Sequence, residues 1–523
     1  MKNPSPALVQ DKPETETAAT SGKQSYAQIL KSLALIGGSL VVNILIGIVR
    51  TKAMALLLGP EGFGLMGIYG SITNFTQSIA GMGINSSGVR QIAEAVGSED
   101  GDRIARTVVV LRRTSIILGI AGAVLLALFS PQVSALTFGD DRHAIPVALL
   151  SLAVFFNLVA GGQGALLQGM RRISDLAMMG ILGTFFGLVI SIPLVYFLRE
   201  EGVVPALVAI AAMSIVTSWW YSRKVQIQRP VTTASQIKEE AAALLKLGFA
   251  FMASGILMMG AAYAVRIMVI RMVGLDAAGF YQAAWTLGGL YVGFILQAMG
   301  ADFYPRLTAV AKNNTLCNRM VNEQARISML LAGPGVLATL TLAPIVITLF
   351  YSAKFEAAAD VLRWICLGAA LQVMTWPMGF IIVAKNDQNL FIFAELAWTA
   401  VNVGLTWICI KSFGLEGAGM AFFGSYVFHW LLIYPIVRRL SGFRWSGENI
   451  RIGLIFITLI ALVFCGFYLT PFWVATTLGT FAVLLSGVCS IRSIVNLTSL
   501  DQLPRPMAWL LVRFRIVHGT GCL

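Results

Sequence analysis

The stretch of sequence that decides the fold is residues 43–85, NILIGIVRTKAMALLLGPEGFGLMGIYGSITNFTQSIAGMGIN. It predicts two apolar helices joined by a glycine turn, with Arg50 and Lys52 inside the first helix. A charge at the centre of a bilayer costs at least about 2.5 kcal/mol, so such a residue usually faces a bundle interior or a wet cavity. The alternative is that both side chains lie near a helix end and extend to the lipid headgroups.

The composition of the whole chain predicts a membrane protein. Hydrophobic residues make up 57% of the 523 residues and charged residues 12%, against about 45–50% and about 25% in soluble domains. Apolar runs of about 20 residues, the length that crosses a bilayer, follow one another along the chain. We count fourteen predicted spans, centred near Leu45, Thr73, Gly119, Asn157, Gly187, Ala211, Met259, Leu290, Gly335, Ala370, Asn402, Gly424, Leu459 and Gly479.

The basic residues predict the orientation of these spans. An even number of spans places both termini on one side, and most of the 38 Lys and Arg residues fall on that side. The positive-inside rule therefore predicts that both termini are cytoplasmic. This bias and binding to anionic headgroups explain the net charge of +13 without a nucleic-acid partner. The residues assigned to the other side are Arg142, Arg199, Lys354, Arg363 and Lys411.

An internal repeat divides the predicted helices into two halves. The segment GPEGFG at 59–64 matches GLDAAG at 274–279, with an offset of 215 residues. Each repeat holds six spans, an even number, so the two copies enter the membrane in the same direction. Further landmarks that keep nearly this offset are Pro131 with Pro344, Arg171 with Lys385, and Glu201 with Glu416.

The predicted fold is therefore an all-α polytopic membrane protein of about 14 transmembrane helices. The first 26 residues are polar and lack the basic start and apolar core of a signal peptide, which predicts a disordered tail rather than a cleaved leader. The predicted segments are this cytoplasmic tail (1–26), an N-terminal six-helix lobe (27–221), a cytoplasmic linker (222–246), a C-terminal six-helix lobe (247–440), helices 13 and 14 (441–491) and a basic cytoplasmic tail (492–523).

The repeat singles out two of the intramembrane cations. Arg50 and Arg266 lie nine and eight residues before the glycine turn of their half, so they lie at nearly the same depth. We therefore predict that these two arginines share a cavity. Lys52 and Arg271 are further candidates, although at about 100° per residue each points well away from the arginine on its own helix.

The second helix of each half carries a polar face. These faces can hydrogen-bond sugar hydroxyls, which makes Asn74, Gln77 and Gln297 candidate substrate-binding residues. The alternative is close helix packing through small and polar residues, and Tyr281 and Trp285 can likewise stack on a sugar or pack helices. The two faces, which share one helical spacing, are Asn74, Gln77, Gly81 and Asn85, and Thr286, Gly289, Gly293 and Gln297.

One acidic residue lies deep in an apolar span. Glu395 shares a helix face with Trp398 and Asn402. It is predicted to be a site for a coupling ion, a proton or sodium, or a counter-ion to an arginine. A purely structural ion pair is the remaining alternative.

Several other chemistries find no support in the sequence. The six cysteines show no paired spacing, so neither a metal site nor a disulfide framework is predicted. The three histidines are scattered and no GxxxxGK[ST] motif is present. We therefore expect no cofactor and no ATP hydrolysis by this chain.

Two segments resemble a known family. LLGPEGFGLMGIYGSI at 57–72, followed by GMGINSSGVRQIAE at 81–94, resembles the first helices of the polysaccharide transporter branch, which includes the O-antigen flippases, of the multidrug/oligosaccharidyl-lipid/polysaccharide exporter (MOP) superfamily. The resemblance extends over about residues 27–490. It implies two six-helix lobes in a V, as in the multidrug exporters called MATE, plus two extra helices.

The resemblance also implies a function. A bacterial inner-membrane protein of this kind moves undecaprenyl-pyrophosphate-linked oligosaccharide, an O-antigen or related repeat unit, from the cytoplasmic to the periplasmic leaflet. Arg50 and Arg266 match the cationic cavity of such flippases, and arginine binds a diphosphate well through its planar fork. Implied partners are a polysaccharide polymerase and a chain-length regulator. The predicted gate turns, which close the periplasmic end as the lobes rock, contain Gly59, Glu61 and Gly64, and Gly274, Asp276 and Gly279.

Three alternatives stay open at this point. A lipid II flippase or a multidrug or cation antiporter has the same fold, but an antiporter needs acids in its cavity, where this chain offers mainly Glu395 against four cations. A membrane polysaccharide polymerase or ligase needs a large periplasmic loop, and the longest predicted one, at about 131–143, is short. We therefore expect a transporter that makes and breaks no bond.

Overall fold

The computed structural model of the chain describes residues 14–98, 101–225 and 234–497. The regular elements in these ranges are helices, as predicted. In chain order they are α1 (Glu14–Ala80), α2 (Ile84–Gly97), α3 (Gly101–Leu128), α4 (Ser130–Thr137), α5 (Ala144–Gly169), α6 (Ile173–Leu198), α7 (Val203–Ser222), α8 (Ala234–Met272), α9 (Leu275–Ala309), α10 (Asn314–Thr341), α11 (Ala343–Phe350), α12 (Ala358–Ala384), α13 (Gln388–Phe413), α14 (Glu416–Ser441), α15 (Gly447–Leu469) and α16 (Phe472–Leu497), with 3₁₀ turns at Arg199–Gly202 and Ala353–Phe355.

The candidate membrane spans agree with the predicted architecture. Ten helices in the described ranges are long and apolar enough to cross a bilayer, and the pair α10 and α11, bent by 80°, makes an eleventh. Two of the ten, Val42–Ala80 and Ile173–Ser222, are 39 and 50 residues long, about twice the length of one crossing. Gly59 interrupts the first and the turn Arg199–Gly202 the second, so each is long enough for two crossings. With the 35-residue α9, the helices accommodate fourteen spans.

The start of α1 differs from the prediction. The helix begins at Glu14, so residues 14–26, predicted to be disordered, are helical. Adding a residue to an existing helix costs much less than starting one, so polar residues can continue the helix of the first span. Residues 1–13 of that tail, 226–233 of the linker and the C-terminal tail from residue 498 lie outside the described residues.

Two short helices confirm the internal repeat. α4 and α11 are both eight residues long, both follow a long span, and both carry a proline in the first turn, where proline removes no helical hydrogen bond. These prolines are Pro131 and Pro344, which the sequence pairs. α1–α7 and α8–α14 therefore form two lobes of the same design, while α15 and α16 pack against α10 of the second lobe.

Both predicted glycine turns have an unusual backbone. Gly59 has φ 67° and ψ −171°, and Gly274 has φ 127° and ψ 175°. This region of φ and ψ is open essentially to glycine alone. Each turn is followed at once by a helix with an acid in its first turn, Glu61 or Asp276, where a negative charge is favourable. We call the end of the bundle that carries both turns the turn end.

At the turn end, residues that the repeat equates touch each other. A Cβ on Gly64 would lie 2.5 Å from the carbonyl oxygen of Leu275 and 2.8 Å from the nitrogen of Gly279, and a Cβ on Gly279 would overlap the Pro60 carbonyl. Residues related by a two-fold axis can touch each other only close to that axis. The pseudo-two-fold axis between the lobes therefore passes through this contact.

An aromatic cluster surrounds the same contact. The ring of Phe63 lies 5.3 Å from that of Tyr351 and 5.7 Å from that of Phe355, in edge-to-face arrangements that are favourable between aromatic rings. All three side chains are fully buried. The lobes are therefore closed against each other at the turn end.

Candidate functional site: a cationic cavity between the lobes

The predicted arginine pair meets in one cavity. A space of about 230 Å³ lies between the lobes, and Arg50 from α1 and Arg266 from α8 both line it. Ser71 and Asn74 of α1 and Gln282 of α9 contribute further polar groups to its wall. The two lobes thus each supply one cation to a shared polar space.

Arg266 is held in place by hydrogen bonds from its own lobe. Its Nε donates to Gln282 Oε1 at 3.0 Å, and its Nη1 donates to the Ala262 carbonyl at 3.1 Å. Gln282 in turn donates through Nε2 to Thr286 Oγ1 at 3.2 Å. The guanidinium also lies 5.9 Å from the centre of the Tyr281 ring, within the range of a cation–π interaction. These contacts orient the arginine and leave its Nη2 without a described hydrogen bond.

Arg50 has a different environment. Its guanidinium lies beside α6, where a Cβ on Gly187 would be 3.7 Å from Nη1. No described residue forms a hydrogen bond or ion pair with it. Because a guanidinium has five N–H donors and no acceptor, Arg50 offers hydrogen-bond donors for an anion at the cavity wall.

A larger and more aromatic cavity adjoins the first. It has a volume of about 420 Å³ and shares Ser71, Asn74 and Arg266 with the cationic cavity. Aromatic rings and amides of the kind that bind sugars line it. These residues are Tyr281, Trp285, Trp398, Phe422, Tyr426, Gln372 and Asn402.

The predicted polar face of the second helix lines a third cavity. Asn74, Gln77, Gly81 and Asn85 all border a space of about 440 Å³, together with Asn157 of α5. Asn74 borders all three cavities and so lies where they join. In the equivalent face of α9, Gly289 and Gly293 line the aromatic cavity, while the side chain of Gln297 lies outside the described residues.

Lys52 and Arg271, the other two candidate cations, lie apart from the two cavity arginines. Neither lines one of the three cavities, since each points away from the arginine that shares its helix. Lys52 donates through Nζ to the Thr348 carbonyl at 2.8 Å, and Arg271 through Nη1 to the Ala135 carbonyl at 3.4 Å. Each cation thereby joins its own lobe to the other.

The acceptors of these two bonds are equivalent in the two lobes. Thr348 lies in the last turn of α11, and Ala135 in the last turn of α4. The last four carbonyls of a helix lack helical partners, and that end of the helix dipole attracts cations. We call the two contacts the lobe latches.

Glu395 lies apart from the arginines. It belongs to α13, next to Tyr426 of α14, and forms no ion pair with a cation in the described part of the chain. The rings of Trp398 and His429 lie 6.3 Å apart nearby, and Trp398 Nε1 and His429 Nδ1 have no described partner. The structure therefore gives no support to Glu395 as counter-ion to an arginine.

Gln282 is one of the cavity residues that the sequence pattern does not single out. Its repeat mate, 215 residues earlier, is Gly67, and the two touch, since a Cβ on Gly67 would be 2.9 Å from Gln282 Oε1. The repeat was the available signal. The repeat aligns Gln282 with Gly67. Because the two side chains are unlike, a comparison of residue types does not reveal that these positions are equivalent.

Comparisons with known proteins agree with this architecture. Residues 53–360, more than half of the chain, match the family described as polysaccharide biosynthesis protein. The lipid III flippase of Escherichia coli (strain K12) is 24% identical over 407 residues, which cover 75% of this chain and 94% of that protein.

Two solved structures have the same fold. The lipid II flippase MurJ, in an inward closed conformation, has a TM-score of 0.65 and 13% identity, and the match covers 88% of this chain and 99% of MurJ. A multidrug resistance transporter of the MATE family, in an inward-facing conformation, has a TM-score of 0.64 and 18% identity. This match covers 79% of this chain and 99% of the transporter. The family match confirms the predicted resemblance: the chain belongs to the polysaccharide biosynthesis protein family.

Proposed function

We propose that the protein moves undecaprenyl-pyrophosphate-linked oligosaccharide, an O-antigen or related repeat unit, across the bacterial inner membrane. The observation that carries this proposal is the pair Arg50 and Arg266, one from each lobe, in a single cavity. None of the described residues that line the three cavities is acidic. Family membership and the likeness to a lipid III flippase support a lipid-linked substrate.

The cavities suit the two parts of such a headgroup. The diphosphate binds Arg50 and the free edge of Arg266, because guanidinium groups donate paired hydrogen bonds to phosphate oxygens. The sugars occupy the aromatic cavity and the amide-lined cavity, where Trp285, Asn74 and Gln77 meet their rings and hydroxyls. The isoprenoid tail stays in the lipid, since burying it in a polar cavity would forfeit its apolar environment.

The lobe contacts suit an alternating-access cycle. The structure is closed at the turn end, which we assign to the periplasmic side. Opening there separates Gly64 from Gly279 and breaks both lobe latches. Lys52 and Arg271 accordingly act on the conformation of the protein rather than on the substrate, and the glycine turns act as the gate.

Glu395 is proposed as the site of a coupling proton or sodium ion. Its position inside the second lobe, away from the arginines, allows an ion to bind there without cancelling the cavity charge. In this scheme the protein is a transporter and not an enzyme. Both termini are cytoplasmic, and a polymerase and a chain-length regulator act on the delivered product.

The experiment that tests the proposal is translocation by purified protein in vesicles. Lipid-linked oligosaccharide, lipid II and a cationic drug are offered in parallel, and movement of each to the outer leaflet is measured. We expect translocation of the lipid-linked oligosaccharide, and its loss in the Arg50→Ala, Arg266→Ala double variant. Transport of the drug alone would favour the antiporter alternative, and preference for lipid II would favour that substrate instead. Full activity of the double variant would overturn the cationic-cavity mechanism.

A further inference from the structure

A second basic pocket lies on the outside of the N-terminal lobe. It has a volume of about 240 Å³ and is formed by Arg112 and Ile116 of α3, Gln163 of α5, and Trp219 and Arg223 at the end of α7. None of its lining residues borders the three cavities between the lobes. The pocket is therefore separate from the proposed transport site.

The polar groups of this pocket are oriented but not neutralised. Arg112 donates through Nη2 to the Ser222 carbonyl at 3.4 Å. The Arg223 guanidinium stacks 3.8 Å from the centre of the Trp220 ring and 4.8 Å from that of Trp219. Neither arginine forms an ion pair with an acid in the described ranges. Two guanidinium groups thus face one pocket without a carboxylate partner among the described residues.

The position of the pocket matches the headgroup layer of a bilayer. α7 is 20 residues long, which at 1.5 Å per residue spans about 30 Å, the hydrocarbon thickness. Arg223 follows its last residue and so lies at the membrane surface. Trp219 and Trp220 are 53% and 50% exposed, as is usual for tryptophan at this level. Apolar side chains on the lipid-facing surface continue from the pocket along α3, namely Ile116, Ile117, Ile120 and Val124.

The other lobe shows what fills the equivalent place. Arg326 of α10 is equivalent to Arg112 at an offset of 214. It forms an ion pair with Glu448 at the start of α15, and Asn449 of the same helix bonds to Asn322. α15 lies outside the repeat, so the N-terminal lobe has no such helix. A carboxylate of the chain therefore neutralises this position in one lobe, whereas no described acid pairs with Arg112 in the other.

From these observations we propose that the pocket between Arg112 and Arg223 binds the phosphate of an anionic phospholipid. The two arginines bind the phosphate oxygens, Trp219 packs beside the glycerol backbone, and one acyl chain follows the apolar surface of α3. This lipid fixes the N-terminal lobe at the headgroup layer while the C-terminal lobe rocks against it. The proposal does not depend on which substrate the central cavity carries.

The test is binding of defined lipids to the full-length protein in detergent, measured by native mass spectrometry. Phosphatidylglycerol, phosphatidylcholine and inorganic phosphate are titrated separately. We expect tight binding of one phosphatidylglycerol, weakened by about tenfold or more in Arg112→Gln and in Arg223→Gln. Arg113→Gln removes the same charge from an exposed neighbour and serves as the matched control, which should bind like the wild type.

Each other outcome contradicts the proposal. If Arg113→Gln weakened phosphatidylglycerol binding as much as Arg112→Gln does, only net charge would matter. If phosphatidylcholine bound as tightly as phosphatidylglycerol, the arginines would not select an anion. Displacement of the lipid by millimolar inorganic phosphate would identify a site for a soluble phosphate instead. Thermal unfolding separates binding from folding: phosphatidylglycerol should raise the melting temperature of the wild type and of Arg113→Gln, but not of Arg112→Gln, whose lipid-free melting temperature should equal that of the wild type.

Discussion

At the scale of single residues, the two arginines of the cavity are not equivalent. Arg266 is oriented by Gln282 and the Ala262 carbonyl, whereas Arg50 makes no described hydrogen bond. An arginine held by its own lobe gives a fixed anchor, and a free one on the opposite lobe can follow a ligand. The pair therefore combines a fixed contact with an adjustable one.

Replacing either arginine should slow transport. A hydrogen bond to a charged group contributes about 1.5–3 kcal/mol, so Arg50→Ala or Arg266→Ala should reduce the translocation rate by about one to two orders of magnitude, at about 1.4 kcal/mol per tenfold. Lysine restores the charge but not the planar fork, so Arg50→Lys and Arg266→Lys should give intermediate rates. Rates are measured in vesicles and normalised to folded protein. Reduced abundance with an unchanged rate per molecule would instead assign the arginines a structural role.

Glu395 should affect coupling and not substrate binding. Glu395→Gln keeps the shape of the side chain but removes its charge, so transport should lose its dependence on a proton or sodium gradient while substrate affinity stays measurable. The measurement is the initial translocation rate with and without an imposed gradient. If the variant responds to the gradient like the wild type, Glu395 is a structural residue.

At the scale of helices and turns, the lobes meet through small residues and helix ends. Gly59 and Gly274 could be predicted from sequence, because a repeated glycine before an acidic first turn signals a helix break. The lobe latches could not, because they depend on where α4 and α11 end in space, and no local pattern marks a carbonyl as an acceptor for a distant lysine. Arg50 and Arg266 can be paired through the repeat, whereas Gln282 cannot, because the repeat aligns it with Gly67.

The contact at the turn end should not tolerate a side chain. Gly279→Ala places a Cβ against the Pro60 carbonyl, and because backbone cannot rotate away, the closed state should be disfavoured. Spin labels are placed at positions 142 and 354, one on each lobe at this end. Double electron–electron resonance should report a longer mean distance between the two labels in Gly279→Ala than in the wild type. Gly379→Ala is the control, since nothing lies within 4 Å of its Cβ. An unchanged distance in Gly279→Ala would mean that the turn end is not the gate.

Each lobe latch should make a small contribution to the free energy that favours the closed state. A cation at a helix C-terminus contributes about 0.3–1 kcal/mol, so Lys52→Met or Arg271→Met should each raise the ratio of open to closed molecules by about two- to fivefold, and the double variant by the product. The same pair of labels provides the measurement. Lys411→Met, which removes a cation stacked on Trp407 within one lobe, should leave the ratio unchanged. Substrate affinity should also be unchanged in the latch variants. A loss of affinity would indicate that Lys52 and Arg271 contact the substrate.

At the scale of the whole molecule, the fold was more predictable than the site. Composition, basic-residue bias and the offset of 215 are properties of long segments, so they survive errors at single positions. The cavities depend instead on side chains from α1, α8, α9 and α13 that converge only after the lobes pack. This is why the resemblance and the helical architecture are confirmed, while the roles of individual site residues stay predictions.

Topology is the prediction that belongs to this scale. A reporter fused after Met1, Ser235 or Leu523 should read cytoplasmic, and one inserted near Asp140 should read periplasmic, since the excess of basic residues holds the former side in the cytoplasm. Alkaline phosphatase and green fluorescent protein fusions provide opposite readouts at each site. A periplasmic signal at Ser235 would overturn the two-lobe arrangement.

The contact of Gly64 with Gly279 has a consequence for the origin of the protein. In a symmetric homodimer, a residue on the two-fold axis touches its own copy. If the repeat arose when one gene was duplicated and fused, a single glycine in the ancestral subunit supplied both sides of this close contact. Fusion then made that glycine two separately mutable positions, and a change at one is now constrained by the residue at the other. Gly67 and Gln282 illustrate how far such a pair can diverge. On this scheme they descend from one residue that contacted its own copy across the axis, and now the Gln282 amide packs in the space left by the missing side chain of Gly67.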